Sequence, residues 1–243
     1  MREEEVPFAD GNVTGAVRIG DTVRRGTGPW TPAVHALLRH LERAGFEGAP
    51  RVLGIDDQWR EVLTYVPGET DPNPRVSFGG DEALAGVARL LRRYHDAVAS
   101  FEPPLDAAWR PSADASPGDE LICHNDIAPY NTIVSEGRPV AFIDWDLAAP
   151  GTRKWDLAHA LWRFVPLYED WGSPEAQGRR LRLFCDAYGL GERRGLLDII
   201  ERRQRATHDG LRAWAEAGEP AFQVLWREGH GDAALRDLEY VRR

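Results

Sequence analysis

One window, residues 121–156, holds most of the side chains whose types and spacing could support catalysis. It contains His124-x-Asp126, then Asn131 five residues later, and Asp144 after the next pair of strand-like runs. A Glu-Gly turn signal separates those two runs, which predicts a hairpin. Folding this hairpin would bring Asp126, Asn131 and Asp144 to one edge, so that a candidate base lies beside two oxygen ligands.

Phosphoryl transfer needs such a set of side chains. A carboxylate orients the attacking hydroxyl and accepts its proton, and hard oxygen ligands hold magnesium on the phosphates of a nucleotide. Turn residues that cap loops and strand ends would explain the polar side chains one by one, but not their common order. A metallohydrolase built on His124, Asp126, Asp144 and Asp146 is another interpretation, because these residue types bind divalent metals, but it leaves the spacing of Asn131 unexplained.

Composition limits the class of protein. Among the 243 residues no apolar run reaches the ~18 residues that a membrane-spanning helix needs. A formal net charge of -9 disfavours a nucleic acid as the main partner, because a phosphate backbone requires a cationic surface. Lys154 is the single lysine, which excludes the Gly-Lys-Ser/Thr core of a P-loop. The acidic start lacks the pattern of a secretory signal, so we expect a cytoplasmic protein with Cys123 and Cys185 as buried thiols.

Local patterns divide the chain into a small mixed part and a larger, mostly helical part. Turn and strand signals predict strands at 15–19, 22–25, 51–55 and 60–66, with a helix between Thr31-Pro32 and Gly45. A loop rich in Pro, Gly and Asp follows. We therefore place the boundary between two lobes, 1–66 and 67–243, at a hinge near 64–70.

The second part combines three strands with several helices. The patterns predict helices at 81–100, 175–188, 192–217 and 232–241, and strands at 121–123, 132–134 and 140–143. A further helix is predicted from Trp155 onward, with His159 and Trp162 on the same face. We expect Trp155 and Trp162 to fill the core and His159 to be an ordinary packed or surface histidine.

These motifs resemble those of the aminoglycoside phosphotransferase and choline kinase family, within the protein-kinase-like fold. The resemblance covers most of the chain and rests on His124-x-Asp126-x4-Asn131, Phe142-Ile143-Asp144-Trp145-Asp146, Gly151, Asp156-Leu157-Ala158, Tyr65-Val66-Pro67-Gly68-Glu69 and Leu90-Leu91-Arg92-Arg93-Tyr94-His95-Asp96. It implies an α+β, bilobal fold. The N-terminal nucleotide-binding lobe would be a small β-sheet with one main helix, and the C-terminal catalytic and acceptor-binding lobe would be mostly helical.

The resemblance also implies roles for individual residues of the window. Asp126 is the expected catalytic carboxylate, and Asn131 and Asp144 are the expected magnesium ligands. His124 is expected to hold the catalytic loop by hydrogen bonds.

Two further carboxylates are expected to support this site. Asp146 either lies close to the magnesium ligands or faces solvent. Asp156 is expected to cap the helix that follows Gly151, which is a structural role.

The residues expected to bind the nucleotide depart from the family pattern. Its third strand usually carries a Lys or Arg for the α- and β-phosphates, and Arg24 is the candidate here, with Arg18 and Arg25 as rivals. The helix glutamate that pairs with this cation would fall at Val34, so that pair is expected to be absent. Residues 10–15 form a weak candidate for the loop that covers the nucleotide.

The resemblance places the nucleotide base against the main chain of Thr64, Tyr65 and Val66. The leading hypothesis is a small-molecule kinase that uses ATP or GTP and Mg²⁺ to phosphorylate a hydroxyl group. The alternative is a pseudokinase-like binding protein with little transferase activity, which the missing lysine and helix glutamate favour. The acidic excess after residue 155 mildly favours a cationic acceptor. We expect no nucleic acid or membrane partner, and the sequence predicts no oligomeric state.

Overall fold

An antiparallel sheet forms the N-terminal part of the chain. The computed structural model describes residues 5–8, 15–71, 73–110, 118 and 120–243. The five strands of the sheet are, in spatial order, β1 (Val6–Pro7), β2 (Val17–Ile19), β3 (Thr22–Gly26), β5 (Arg60–Thr64) and β4 (Val52–Ile55). The register of β3 and β5 places Arg25 opposite Glu61. Residues that pair in this way point to the same face, so both side chains leave the sheet on one side.

One main helix, α1 (Thr31–Arg43), packs against this sheet and against the second part of the chain. Its proline lies in the first turn, where the missing N–H costs no hydrogen bond. The apolar side chains of one face, including Leu37, Leu38 and Leu41, are fully buried. The helix thereby fixes the position of the small sheet relative to the rest of the molecule.

The remaining elements form the larger part of the molecule. They are α2 (Pro74–Ser77), α3 (Asp81–Val98), β6 (Leu121–Cys123), β7 (Thr132–Ser135), β8 (Arg138–Phe142), β9 (Ala149–Gly151), α4 (Arg153–Phe164), α5 (Pro174–Tyr188), α6 (Leu196–Glu216), α7 (Pro220–Arg227) and α8 (His230–Val241). β7 and β8 form an antiparallel hairpin, and β6 pairs antiparallel with β9. Helix α3 packs on α5, and α6 packs on α4, α7 and α8.

Aromatic side chains fill the core directly beneath the hairpin. Tyr94 on α3 meets Trp145 edge to face with ring centres 5.0 Å apart, and its hydroxyl donates to the Ile122 carbonyl over 2.6 Å. The His124 ring lies 4.4 Å from Trp145. Trp155 is buried against the same core. Rigid rings therefore support both ends of the loop that carries the candidate catalytic residues.

The structure confirms the predicted fold class, a small antiparallel sheet lobe and a larger helical lobe. The main predicted strands and helices are present, and Trp155, Trp162, Cys123 and Cys185 are buried as expected. The sequence patterns missed four short elements: β1, α2, β9 and α7. None of the described helices is both long and apolar enough to cross a membrane.

Candidate active site

The carboxylate of Asp126 lies in the loop between β6 and β7, where neighbouring side chains surround it. The Tyr130 hydroxyl donates to Oδ1 over 2.9 Å, and Asn131 Nδ2 donates to Oδ2 over 2.8 Å. His159 Nε2, on α4, lies 3.3 Å from Oδ1. Burial alone would raise the Asp126 pKa, but His159, His124 and Tyr130 lower it to about 2. Asp126 is therefore ionised at neutral pH and can accept a hydrogen bond from a hydroxyl group.

Asn131 ends a short 3₁₀ turn, and its hydrogen bonds fix the orientation of its amide. Nδ2 donates to both the Asp126 carbonyl and the Asp126 carboxylate, so Oδ1 must point away from Asp126. The main-chain carbonyl of Asn131 accepts the Ile143 N–H over 2.9 Å. Because Asp144 follows Ile143 directly, this bond brings Asp144 to the same edge, as the hairpin predicted.

Two residues of this site have a left-handed backbone. Asn125 has φ of +66° and Asp144 has φ of +61°. Few residues other than glycine adopt this region, although Asn and Asp tolerate it better than most. Such strain persists where surrounding contacts hold the chain, and it is common at functional sites. Here the two residues stand two positions after the ends of β6 and β8.

His124 is fully buried and holds two segments of the site together. Its Nε2 lies 3.1 Å from the Ile143 carbonyl, and its Nδ1 accepts the Asp126 N–H over 3.3 Å. This pattern requires the neutral ring with its hydrogen on Nε2. Burial lowers the His124 pKa, which keeps the ring neutral. These bonds are those that the expected supporting role of His124 requires.

Asp156 does not cap its own helix, which corrects the prediction from the sequence. The N-cap of α4 is Thr152, whose side chain accepts the Trp155 N–H. Asp156 lies one turn into the helix and is fully buried, and its carboxylate accepts the N–H groups of His124 and Asn125 over 3.0 and 2.9 Å. Asp156 thus anchors the catalytic loop to α4.

His95 on α3 completes this anchor. Its Nε2 lies 3.1 Å from Asp156 Oδ2, and its Nδ1 lies 2.7 Å from the Tyr188 hydroxyl. Burial alone would raise the Asp156 pKa, but His95 and the His124 N–H lower it to about 2. The loop, α3, α4 and α5 are therefore joined through one buried carboxylate.

We expect Asp156→Asn to lower the free energy of unfolding by about 2 to 3 kcal/mol, because charge-assisted hydrogen bonds in the interior are lost. The folded-state pKa of about 2 lies below the unfolded value of about 3.9. The carboxylate therefore stabilises the wild type above about pH 4, and this contribution is lost as the pH falls toward 2. Urea unfolding measured between pH 2 and 7 checks this.

Asp96→Asn, an exposed carboxylate on α3, is the matched control and should change stability by less than about 1 kcal/mol. The Asp156→Asn protein should show a weaker decline of stability below pH 4 than the wild type. Equal stabilities and equal pH slopes for Asp156→Asn and the wild type would contradict the anchoring role.

Arg25, rather than Arg24, extends from β3 into the site. Its Nη1 donates to Asp144 Oδ1 over 2.7 Å and its Nη2 to Asp146 Oδ1 over 2.5 Å, while Nε donates to Glu61. Arg25 is buried, and burial alone would lower its pKa, but the three carboxylates raise it. The cation therefore joins the small sheet to the segment after β8.

Arg24 points to the other side of the strand. Its Nη1 donates to Thr22 Oγ1, and its Nε lies 3.5 Å from Asp56 Oδ2. The structure thus brings Asp126, Asn131, Asp144 and Arg25 together and leaves Arg24 outside the group. The role predicted for Arg24 is not supported by this placement, and Arg25 becomes the candidate in its place.

The partner of this cation comes from β5 and not from the helix. Val34, the position expected for a helix glutamate, is buried in the core. Its neighbour His35 lies with Nε2 2.8 Å from Glu61 Oε2, and Glu61 binds Arg25 through its other oxygen. Burial alone would raise the Glu61 pKa, but His35 and Arg25 lower it. His35 of helix α1 therefore contacts Arg25 indirectly, through the carboxylate of Glu61.

Asp146 is buried beside this group and does not face solvent. Burial, together with the charges of Asp144 and Glu61, raises its pKa to about 6, although the attraction of Arg25 opposes this. Three carboxylates thus share a single guanidinium.

The proposed hinge residues follow β5. Thr64 pairs with Thr22, and the Tyr65 N–H donates to the Asp21 carbonyl over 2.8 Å. Within the described part of the chain, the main-chain N–H and carbonyl of Val66 make no hydrogen bond. Residues 10–14 of the candidate nucleotide-covering loop lie outside the described residues.

The donor set fits a divalent cation that is shared with phosphates. Asn131 Oδ1 is turned away from Asp126, and Asp144 has a second carboxylate oxygen besides the one that Arg25 binds. Mg²⁺ in nucleotide sites commonly takes one or two protein oxygens and completes its shell with phosphate and water. No cluster of three or more His, Cys, Asp or Glu residues suited to a metal occurs in the described ranges.

Four residues of the site were missed by sequence reasoning: Tyr130, His159, Glu61 and Arg25 in its present role. Tyr130 lies between the motif residues, and its four-residue spacing from Asp126 was a usable signal. His159 shares a helical face with core tryptophans, so nothing in the sequence separates it from a packed histidine. Glu61 becomes visible only through its register with Arg25.

Comparisons with known proteins agree with this geometry. A family model described as a phosphotransferase enzyme family matches residues 101–197, which include the loop of Asp126 and the segment of Asp144. Three solved structures share the fold: an amicoumacin kinase complexed with AMP-PNP and Ca²⁺, a choline/ethanolamine kinase family protein from Mesorhizobium loti, and an APH(2″) enzyme complexed with GDP and kanamycin.

The structural similarity extends over nearly the whole chain at low sequence identity. The TM-scores are 0.65, 0.58 and 0.64 at 14%, 16% and 13% identity, and the matches cover 94%, 98% and 100% of this chain. They cover 88%, 92% and 94% of the other chains.

A curated relative is closer in sequence. The trifolitoxin immunity protein of Rhizobium leguminosarum bv. trifolii is 34% identical over 244 residues, which cover 92% of each chain. Taken with the family match, this similarity shows that the chain belongs to the phosphotransferase enzyme family whose model matches residues 101–197.

Proposed function

We propose that this chain transfers the γ-phosphate of ATP or GTP to a hydroxyl group of a small molecule, with Mg²⁺ as the metal and in the cytoplasm. The observation that carries the proposal is the hydrogen bond between Asn131 and Asp126, at the edge to which the Ile143 N–H brings Asp144. A carboxylate for the acceptor and two oxygens for the metal thus lie together, which is what phosphoryl transfer requires.

The nucleotide would lie between residues 1–66 and 67–243, which act as the two lobes. The base would contact the main chain of Thr64, Tyr65 and Val66, where the peptide groups of Val66 have no partner among the described residues. The phosphates would extend toward Arg25. Its guanidinium is well suited to them, because it can donate two parallel hydrogen bonds to phosphate oxygens.

Asp126 would receive the hydroxyl of the acceptor on the other side of the phosphates. With a pKa lowered to about 2, this carboxylate is a weak base, so its main task is to orient the hydroxyl and to accept its proton late in the transfer. The Tyr130 hydroxyl and the Asn131 amide hold the carboxylate in one orientation. The rate enhancement would come mainly from positioning.

Asn131 Oδ1 and a carboxylate oxygen of Asp144 would hold the metal, which supplies positive charge to neutralise the phosphates during transfer. In the structure Arg25 binds the other oxygen of Asp144 and also binds Asp146. The same guanidinium that pairs with these carboxylates would turn toward the nucleotide as it binds. Glu61 would keep the Arg25 side chain extended from β3 during this change.

A nucleotide-consumption screen tests the proposal. Wild-type protein with Mg²⁺ and either ATP or GTP is incubated with amino alcohols, aminoglycosides, nucleosides, sugars and hydroxy acids. At least one class is expected to raise nucleotide consumption above the acceptor-free rate, and EDTA is expected to remove the increase. A protein whose consumption no acceptor stimulates, and whose thermal stability no nucleotide raises, would contradict the proposed function.

The pseudokinase alternative has one structural observation in its favour. Arg25 pairs with both Asp144 and Asp146, which weakens their attraction for a metal cation. A protein of that kind would gain thermal stability from a nucleotide, as any ligand-binding fold does, without transferring phosphate to any acceptor of the screen. Phosphate transfer to any acceptor would favour the kinase and contradict the pseudokinase alternative.

The trifolitoxin immunity relative suggests a biological setting. Its name is compatible with a phosphotransferase that protects a cell by modifying a toxic compound, and we propose such a protective role here. Expression of the wild type in toxin-sensitive cells should raise their tolerance to the compound that it phosphorylates, and the Asp126→Asn protein should not. Equal protection by both proteins would contradict a protective role through catalysis.

A further inference from the structure

Arginines, and not acids, lie beside Asp126 on the side of the helical lobe. The guanidinium carbon of Arg163, on α4, lies 5.6 Å from the centre of the Tyr130 ring, whose hydroxyl donates to Asp126. Arg203, on α6, donates through Nη2 to the carbonyl of Asn125, the residue before Asp126. Two positive charges from different helices therefore converge on the loop that orients the acceptor hydroxyl.

These cations lack carboxylate partners. Within the described ranges neither Arg163 nor Arg203 forms an ion pair, and the Nε of each is buried without a hydrogen bond. His159, which is only 4% exposed, has an Nδ1 without a hydrogen bond, while its Nε2 lies 3.3 Å from Asp126 Oδ1. Buried donors are nearly always paired in folded proteins, so a cluster of unpaired ones points to a missing ligand that accepts hydrogen bonds.

The acidic residues of this lobe are engaged elsewhere. Asp237 on α8 accepts the Trp162 indole N–H over 2.9 Å; burial raises its pKa and the nearby charge of Arg163 opposes this, but the two side chains form no ion pair. Glu169 pairs with Arg243 at the surface, and Asp186 pairs with Arg193. The acidic excess in the sequence after residue 155 is thus largely a property of the outer surface.

We propose that the acceptor is a hydroxy carboxylate, whose carboxylate binds Arg163 and Arg203 while its hydroxyl meets Asp126. This inference rests on the proposed function and names its substrate class, opposite in charge to the cationic acceptor expected from the composition. An anionic group there would accept hydrogen bonds from the donors that are now unpaired. A polycationic acceptor would meet two guanidinium groups that form no ion pair among the described residues, and their positive charge would oppose its binding.

Matched acceptors that differ only in charge test the inference. Two series serve: glycerate, glyceramide and aminopropanediol, and the para isomers of hydroxymethylbenzoate, hydroxymethylbenzamide and hydroxymethylbenzylamine. Binding is measured by calorimetry with AMP-PNP and Mg²⁺ present, and transfer is measured with ATP. We expect the carboxylate to bind at least ~10-fold more tightly than its amide and amine in at least one series, since ~10-fold is about one charge-assisted hydrogen bond.

Three variants assign the preference to Arg163. Arg163→Gln should reduce carboxylate binding to the level of the amide, mainly through KM, while amide binding stays unchanged. Arg163→Lys, which keeps the charge, should retain part of the preference. Arg179→Gln, an exposed arginine of α5 that pairs with Asp81, is the control and should behave as wild type. A normal nucleotide-induced thermal shift in each variant shows that it is folded.

Each outcome decides one claim. If the amides or amines bind as well as the carboxylates in both series, or if Arg163→Gln keeps the full preference, the inference is wrong. Transfer to a neutral or cationic hydroxyl in that case leaves the proposed function intact. Preferential binding of carboxylates without transfer to any hydroxyl compound would support the charge preference of the site and contradict the proposed function.

Discussion

Asp126→Asn is expected to lower the rate of phosphate transfer by about 10²-fold or more, measured in single turnover so that product release does not mask the chemical step. The asparagine fits the same space and can still accept a hydrogen bond from Tyr130. It carries no charge, however, and cannot take a proton from the attacking hydroxyl. Because Asp126 lies outside the proposed nucleotide contacts, the affinity for AMP-PNP should change by only a few fold.

Asp96→Asn on the exposed face of α3 is the control for this experiment, since it removes one carboxylate without touching the site. Its transfer rate should equal that of the wild type. If Asp126→Asn transfers phosphate at the wild-type rate in the same assay, Asp126 is not the catalytic carboxylate.

Arg25→Gln is expected to have the second largest effect, on both stability and nucleotide affinity. It removes the guanidinium shared by Glu61, Asp144 and Asp146, so the buried Asp146 loses its ion pair and the buried Glu61 keeps only His35. Breaking a buried ion pair by removing one partner costs about 3 to 5 kcal/mol. The variant should therefore unfold at lower urea concentration and bind Mg²⁺-AMP-PNP at least ~10-fold more weakly, as for a lost phosphate contact.

The adjacent residue supplies a stringent control. Arg24→Gln changes the same residue type on the same strand, but its ion-pair partner is Asp56, a partly buried residue of the turn between β4 and β5 that also binds Arg60. It should alter stability by less than about 1 kcal/mol and leave nucleotide affinity unchanged. A larger effect of Arg24→Gln than of Arg25→Gln on AMP-PNP binding would restore the assignment predicted from the sequence and contradict the one that the structure favours.

The choice between Arg24 and Arg25 illustrates where sequence reasoning ends. Neighbouring residues of a strand point to opposite faces, so an uncertainty of one residue in the register reverses the assignment. The deciding fact is that β3 pairs with β5 so that Arg25 lies opposite Glu61. That pairing joins segments separated by more than thirty residues, and no local pattern reports it.

The catalytic loop was predictable because its geometry is local. A short hairpin joins Asn131 to Asp144, and two polar residues at fixed offsets from a turn must meet when the strands pair. The cap of α4 was also within reach of the sequence, since Thr152 is a favoured N-cap residue. The anchoring role of Asp156 was not, because its partners in α3 and in the catalytic loop are distant along the chain.

The position of His159 and Arg163 beside Asp126 could be found only from the structure, for a different reason. Both lie on α4 among core residues, and the helical pattern shows only that this face is buried. Their position beside Asp126 depends on how α4 packs under the loop after β6. Packing between distant elements therefore decides which charges lie beside the acceptor. Composition alone favoured a cationic acceptor, whereas the arginines in this position favour an anionic one.

The most direct test of the central claim follows the phosphorus atom itself. Wild-type protein is incubated with Mg²⁺, nucleotide labelled in its γ-phosphate, and the acceptor that most raises nucleotide consumption. The labelled products are then identified by phosphorus NMR. We predict that the label appears as a phosphate monoester on an acceptor oxygen, and that Asp126→Asn forms this ester far more slowly. Label that is released only as inorganic phosphate, or at equal rates in both proteins, would contradict the account.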